Sequence, residues 1–434
     1  MTQAQTQART GGCPVMGGAS LKDPEILARP TDFYSALRKE DPVHFDEKVG
    51  MWLVARYDDI VTVLRDPLTY SDKMGYAAMY ANGHFEEFKG ILEREGGGFF
   101  PDCIKDDPPA HTRVRRLLDK AFTAHRVAAI EPGITAIIVD QIGLLADKAA
   151  NGQVVDGVKD FAVPLTIRVI CEQLGLQQFN ADKIQRWSSA VTAQISKMQD
   201  HAQMVENAHQ ICELQNFIIG EMRARQEQPR EDMISDLVHA KLDDGSVLTF
   251  AEAVSLVRAL IIAGNDTTAT AIGNLLMVLS TRPEVAQALR DSVDDDRLLN
   301  RFVEELLRIE PPVRGLARMT TREVELGGRL LPKDAHMLVL YASGNDDETQ
   351  FACPRNFDLN RGNLVKHVAF GAGVHRCVGA SLSRMEIKVA AREIVRRLDD
   401  IRLTIAPEEI RYLPTVATHS IEHLPLTLKR RVAA

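Results

Sequence analysis

Apolar residues recur at helical spacing through most of the chain: 112–122, 127–150, 161–175, 181–225, 251–281, 283–290, 297–309 and 377–398. The gaps between these stretches are rich in Pro, Gly and Asp, which end helices and start turns. Strand-like runs are few and short. One opens the segment WLVARYDDIVTV at 52–63, which passes through a polar break into helical spacing; another is HMLVLYA at 336–342. The pattern predicts a mainly α protein with minor β. Residues 1–20 are rich in Gln, Ala, Thr and Gly and lack periodicity, so a mobile tail is expected there. No convincing linker interrupts 21–434, which predicts a single domain. The span 71–107 resists assignment, with aromatics including Phe99 and Phe100 scattered among glycines and charges. A lid over a site and a loop pinned to the core by its apolar side chains both fit it.

Composition narrows the class. The 434 residues are 45% hydrophobic and 26% charged, which excludes disordered and collagen-like chains. With 52 Lys+Arg against 60 Asp+Glu the net charge is −8, which disfavours a protein that must neutralise many phosphates, so nucleic acid is not an expected partner. Six scattered cysteines with no CxxC pair point to a reducing cytosol. The N-terminal stretch lacks the charged start and apolar region of a signal peptide, and no run approaches about 18 uninterrupted apolar residues. Neither export nor a membrane span is expected.

The longest helical pattern carries the first sign of chemistry. Thr249 and Glu252 stand at capping-box spacing and Pro283 discourages continuation past Thr281, so a helix of about 30 residues, roughly 45 Å long, should begin near Phe250. It is apolar nearly all round, which predicts burial, yet Ala263, Gly264, Asn265, Asp266, Thr267 and Thr268 occupy its centre. One reading is a solvated stripe or a kink satisfied by Thr hydroxyls. The other is an opening over a ligand with a proton path, and the adjacent acid and alcohol favour it, because together they can hold a water and relay protons.

The second sign is FGAGVHRCVGA at 370–380, with glycines at 371, 373 and 379 around Cys377 and an amphipathic helix pattern just after it. Two glycines before a cysteine allow the backbone to approach a flat ligand. A thiolate at a helix N-terminus is stabilised by the macrodipole and free N–H groups, which suits a metal ligand or a nucleophile. A Cys–His hydrolase is a poorer fit, since His375 lies two positions away and protease signatures are absent.

Phe370-Gly371-x-Gly373-x-His375-x-Cys377-x-Gly379 resembles the haem-thiolate loop of the cytochrome P450 superfamily. Three further motifs agree in order and spacing: Glu305-x-x-Arg308, Ala263-Gly264-x-Asp266-Thr267, and Asp107-Pro108-Pro109-x-His111-Thr112-Arg113-x-Arg115. The resemblance spans about 23–428 and is to soluble bacterial members. It implies the P450 fold, with a long central helix over haem b and a small β-sheet subdomain. Cys377 is then the axial thiolate of the iron. His111, Arg115, Arg318 and His375 would clamp the propionates, and Phe370, Gly371 and Gly379 of the loop would bind the haem with them. Glu305 and Arg308 would be a buried structural pair, and Asp266 and Thr267 the acid–alcohol pair that delivers protons during oxygen activation.

The implied reaction is insertion of one oxygen atom from O2 into a small hydrophobic substrate. The chain has no room for a flavin or iron–sulfur domain, so electrons would come from NAD(P)H through a separate ferredoxin reductase and ferredoxin. Arg113, Arg116 and Lys120, at i, i+3 and i+7, are candidates for the ferredoxin-docking face. Pocket candidates are Phe99, Phe100, Leu260, Ala263, Gly264, Val313, Leu316 and Val416, all apolar or small. A peroxide-driven peroxygenase and a haem-thiolate ligand sensor are the alternatives, and the Asp266–Thr267 pair argues against both. Two departures from the family pattern stand out: Asn356 replaces a usual Arg, and Asn345-Asp346-Asp347 replaces Asn-Arg-Asp. They leave the third partner of Glu305 and Arg308 open.

Overall fold

A computed structural model describes residues 18–242 and 245–431. Most of the expected tail, with Cys13, lies outside the described residues. Its last residue is already fixed: Ser20 is buried and its hydroxyl donates to Asp46 at 2.7 Å.

The architecture is mainly helical, around the central helix Phe250–Thr281. Its capping box forms as expected: Thr249 Oγ1 accepts from the Glu252 N–H at 3.2 Å, and Glu252 accepts from the Thr249 N–H at 2.8 Å. The helix runs 32 residues, about 48 Å, and buries residues on nearly every face. Beside it pack Val163–Leu174, Ala181–Gln194, His201–Glu227 and Ala380–Arg397. Ala124–Lys148 is long and apolar enough to cross a membrane by length and composition alone. It contributes Ile134, Ile138, Ile142 and Leu145 to the largest core cluster, against Ala380–Arg397.

The β part is small. Its main sheet has five strands in the order Val43–Asp46, Met51–Val54, His336–Val339, Leu316–Thr320 and Tyr70–Ser71. Met51–Val54 and His336–Val339 pair in parallel, whereas Leu316–Thr320 runs antiparallel to the latter, with Arg318 opposite Met337. This pairing delivers Arg318 to the site.

Three expectations change. The stretch 181–225 is two helices, because Asp200 and Gln203 form a capping box that starts the second. The span 71–107 is largely helical rather than loop: Asp72–Ala77, Tyr80–Gly83, Phe85–Glu95 and Cys103–Lys105. Phe85–Glu95 buries Phe88, Ile91 and Leu92, an i, i+3, i+4 stripe. The last major helix begins at Ala380, three residues after Cys377.

Candidate active site

The cysteine loop is built by backbone geometry. Gly371 and Gly373 take φ of 66° and 68°, the left-handed region that favours glycine. A side chain at Gly373 would also collide with the Leu64 carbonyl, 2.1 Å from an ideal Cβ. The Cys377 N–H closes the loop on the Phe370 carbonyl at 2.9 Å. Cys377 is exposed to solvent-sized molecules but surrounded by protein at longer range. That burial pushes its thiol up, against the lowering by the Gly379 N–H, Arg115, Arg384 and Lys105. The expected depression by the helix terminus is therefore outweighed by burial.

The loop is bolted from behind by charges that the sequence did not announce. Arg384 donates to both oxygens of Glu304, at 2.5 and 2.9 Å, and its guanidinium stacks 4.3 Å from the Phe370 ring. His367 Nε2 meets Glu304 at 2.9 Å. Burial raises the Glu304 pKa, but His367 and Arg384 outweigh it and hold the carboxyl down at about 2. One turn away, Arg308 donates to both oxygens of the buried Glu305, at 2.8 and 2.9 Å. The open third partner is Arg361, whose Nε reaches Glu305 at 3.2 Å. Arg361 also donates to the Asn356 carbonyl at 3.1 Å, so the departure at Asn356 is made good five residues later. Asn345 accepts from the Val368 N–H at 2.7 Å, holding the segment that enters the loop.

On the rim, His111, Arg318 and His375 gather around a residue sequence reasoning missed. Asp72 is buried and accepts from Arg318 Nη1 at 2.8 Å; His375 Nδ1 lies at 3.3 Å and Lys105 Nζ at 3.7 Å. Burial pushes its carboxyl up, but Arg318, Lys105, His375 and His111 together hold it below the usual range. Burial lowers His375 to about 3 and also lowers His111. The two rings stand 4.1 Å apart. Both His111 nitrogens, His375 Nε2 and Asp72 Oδ2 are buried without a hydrogen-bond partner. The His111 and His375 imidazoles can each offer an N–H to an anionic group from outside the chain, and haem propionates fit them, whereas Asp72 Oδ2 is an acceptor that faces Lys105 and His375 Nδ1. Arg115 donates to the Arg376 carbonyl at 2.6 Å and the Val374 carbonyl at 3.3 Å, which ties it to the backbone of the cysteine loop beside the clamp.

At the centre of the long helix Ala263 is exposed, although Ile262 and Gly264 beside it are half-buried and Ile261 and Asn265 are buried. The Thr267 hydroxyl donates to the Ala263 carbonyl at 2.8 Å. Asp266 accepts from Thr192 Oγ1 at 2.7 Å and from Asn265 Nδ2 at 3.3 Å. Burial pushes the Asp266 carboxyl up to about 6, partly opposed by the Thr192 bond. A cavity of about 1040 Å³ reaches Asp266 from outside, lined by Gln185, Ser189, Thr192, Thr270 and Ser420 among others. Thr268 Oγ1 lies 3.4 Å from Ser383, joining this stretch to the helix that follows Cys377.

The pocket candidates divide. Val313 and Leu316 are half-buried near the site strand, and Leu260 lies beneath Ala263 on the helix. Phe100 packs on Phe250, which stands 13 residues, about 20 Å, from Ala263 along the helix, so it anchors the segment instead of lining the pocket. Phe99 packs edge-on against Phe85. Gly264 faces Ile170, 2.9 Å from an ideal Cβ, so it serves close helix packing. Val416 is fully buried in the core with Phe33 and Leu338. Of the docking candidates, Arg113 is half-buried and pairs with Glu252, and Arg116 and Lys120 are exposed.

Residues 101–399 match the Cytochrome P450 family model. The chain belongs to the cytochrome P450 family. Cytochrome P450 107B1 of Saccharopolyspora erythraea is 32% identical over 423 residues, covering 93% of this chain and 98% of the relative. The 6-deoxyerythronolide B hydroxylase of the same organism is 32% identical over 398 residues, covering 91% and 95%. The solved structure of cytochrome P450 CREJ in complex with (4-ethylphenyl) dihydrogen phosphate superposes with a TM-score of 0.82 at 28% identity, covering 92% and 97%. This P450 is therefore an oxidoreductase of the monooxygenase class that carries haem b, uses O2 and an organic substrate, and depends on redox partner proteins. Cys377 is the residue of the loop that would hold the iron, with His111, Arg318 and His375 toward the propionates.

Proposed function

We propose that this P450 inserts one atom of O2 into a small hydrophobic substrate in the cytoplasm, residues 21–434 acting as one haem domain, with electrons from NAD(P)H through a ferredoxin reductase and ferredoxin. The observation that carries this reading is the Asp266–Thr267 pair: a carboxyl pushed up to about pKa 6 by burial, next to a hydroxyl in the middle of the continuous central helix. When bound, the haem activates oxygen and takes its electronic character from the thiolate. The chain's part is proton traffic. Asp266 takes protons from the cavity that reaches it past Gln185, Ser189, Thr192 and Thr270, and Thr267 holds its hydroxyl beside it on the helix. A pKa near 6 lets the acid both gain and release a proton at neutral pH.

The pair also favours this reading over a peroxygenase or a sensor, because an acid beside a hydroxyl supplies protons for oxygen activation. The remaining pocket wall of Leu260, Ala263, Val313 and Leu316 is apolar, which supports a hydrophobic substrate. The exposed Arg116 and Lys120 suit an acidic ferredoxin. The test is Thr267→Ala with NADPH, ferredoxin and reductase. NADPH consumption should continue while hydrogen peroxide replaces most of the organic product; unchanged coupling would refute the relay.

A further inference from the structure

Away from the haem side, two imidazoles and a carboxylate converge on the surface. His84 precedes the helix Phe85–Glu95, Glu87 lies in its first turn, and His201 opens the helix His201–Glu227. Their ligating atoms all lie within 4.8 Å of one another, although 114 residues separate Glu87 from His201. The His84 and His201 rings are 4.6 Å apart, and His201 Nε2 already meets Glu87 at 2.8 Å. All three are exposed, so an ion can reach them from solvent.

We infer that His84, Glu87 and His201 form a binding site for a borderline divalent cation such as zinc, which ties the segment 84–100 to the helix His201–Glu227. Two nitrogens and one carboxylate oxygen are the donor set that zinc, cobalt and nickel accept, with water completing the shell. Tetrahedral ligands about 2.0–2.1 Å from the ion stand about 3.4 Å from one another. Exposed side chains close from 4.8 Å by small rotations.

The position gives the ion a consequence. The same seam is held further along by His209 on Glu95 at 2.8 Å, by Asn216 on the Glu95 carbonyl at 2.8 Å, and by Gln215 on the Gly96 and Gly98 carbonyls at 2.8 and 3.0 Å. Those bonds fix the C-terminal end of Phe85–Glu95. Its N-terminal end, next to the turn Tyr80–Gly83, is held across the seam by His201 and Glu87. A cation there cross-links the N-terminal end to the helix His201–Glu227, so that with the bonds at Glu95, Gly96 and Gly98 both ends of Phe85–Glu95 are tied across the seam.

The test uses the untagged holoenzyme with Cys353→Ser, so that an exposed thiol does not compete. Calorimetric titration with ZnCl2 should show one site in the micromolar range. His84→Ala and His201→Ala should each weaken it by about tenfold or more, whereas His209→Ala, which breaks the neighbouring pair, should leave it unchanged. Equal binding in His84→Ala, or no binding in the parent, would overturn the site. Saturating zinc should also slow, several-fold, the Soret shift produced by a hydrophobic azole in the parent but not in His84→Ala. An unchanged rate would overturn the cross-link. Zinc binding is read independently of turnover, so failure of the monooxygenase reading leaves it standing.

Discussion

The two sides of the site are held by different physics. Behind the cysteine loop, charges meet charges: Glu304 with Arg384 and His367, Glu305 with Arg308 and Arg361, all at 2.5–3.2 Å and mostly buried. Across the site, the centre of the long helix is held by neutral or singly charged hydrogen bonds: Thr192 to Asp266, Thr166 to Asn265 at 2.8 Å, Thr267 to the Ala263 carbonyl. Removing one member of a buried ion pair strands the other, whereas an exchanged hydroxyl bond costs little. The first arrangement fixes a ligand sulfur in place. The second lets a proton move.

Breaking the fixed side should have the largest effect. Arg308→Ala leaves the buried Glu305 with only Arg361 and the Asp358 N–H as partners, and frees the Asn345 and Pro354 carbonyls that Arg308 caps. A loss of about 3–5 kcal/mol is expected, read as a large fall in denaturation midpoint and poor haem retention. A loss below about 1 kcal/mol would show that the pair is not structural.

A smaller, pH-dependent loss is expected from Glu304→Gln. The folded Glu304 pKa of about 2 lies below the ordinary glutamate value, so its contribution is present above about pH 4.5 and is lost as pH falls through about 2. The shift corresponds to about 3 kcal/mol at neutral pH. Unfolding curves of the two proteins should converge as pH drops from 5 toward 3. A constant difference across that range would assign the effect to packing.

The movable side should respond in pH profile and not in stability. Thr192→Ala removes the bond that lowers Asp266, so the acid's pKa should rise further above 6, moving the basic limb of the turnover profile upward by less than about one unit. The denaturation midpoint should stay within about 1 kcal/mol of the parent. A shift of the limb in the opposite direction would contradict the assignment of Asp266.

Much of this division was legible in the sequence. Local rules placed the central helix, because the capping box at Thr249 and Glu252 and the stop at Pro283 act within a few residues. The glycine spacing around Cys377 likewise announced a backbone that must turn tightly. The break between Ala181–Gln194 and His201–Glu227 was missed because 195–199 holds no Gly or Pro, although Asp200 and Gln203 carried the signal. Phe85–Glu95 hid among glycines and charges despite its Phe88, Ile91 and Leu92 stripe. Asp72, Glu304 and Arg361 could not be read locally at all. Their partners lie 246, 80 and 56 residues away, and only the tertiary fold brings them within bonding distance.

The central claim is that Cys377 is the axial thiolate of this P450. The absorption spectrum of its reduced, carbon-monoxide-bound form tests that most directly. The account predicts the red-shifted Soret band of thiolate ligation in the parent and its loss in Cys377→Ala. A parent spectrum like that of a histidine-ligated globin, or a thiolate band that survives the substitution, would contradict it.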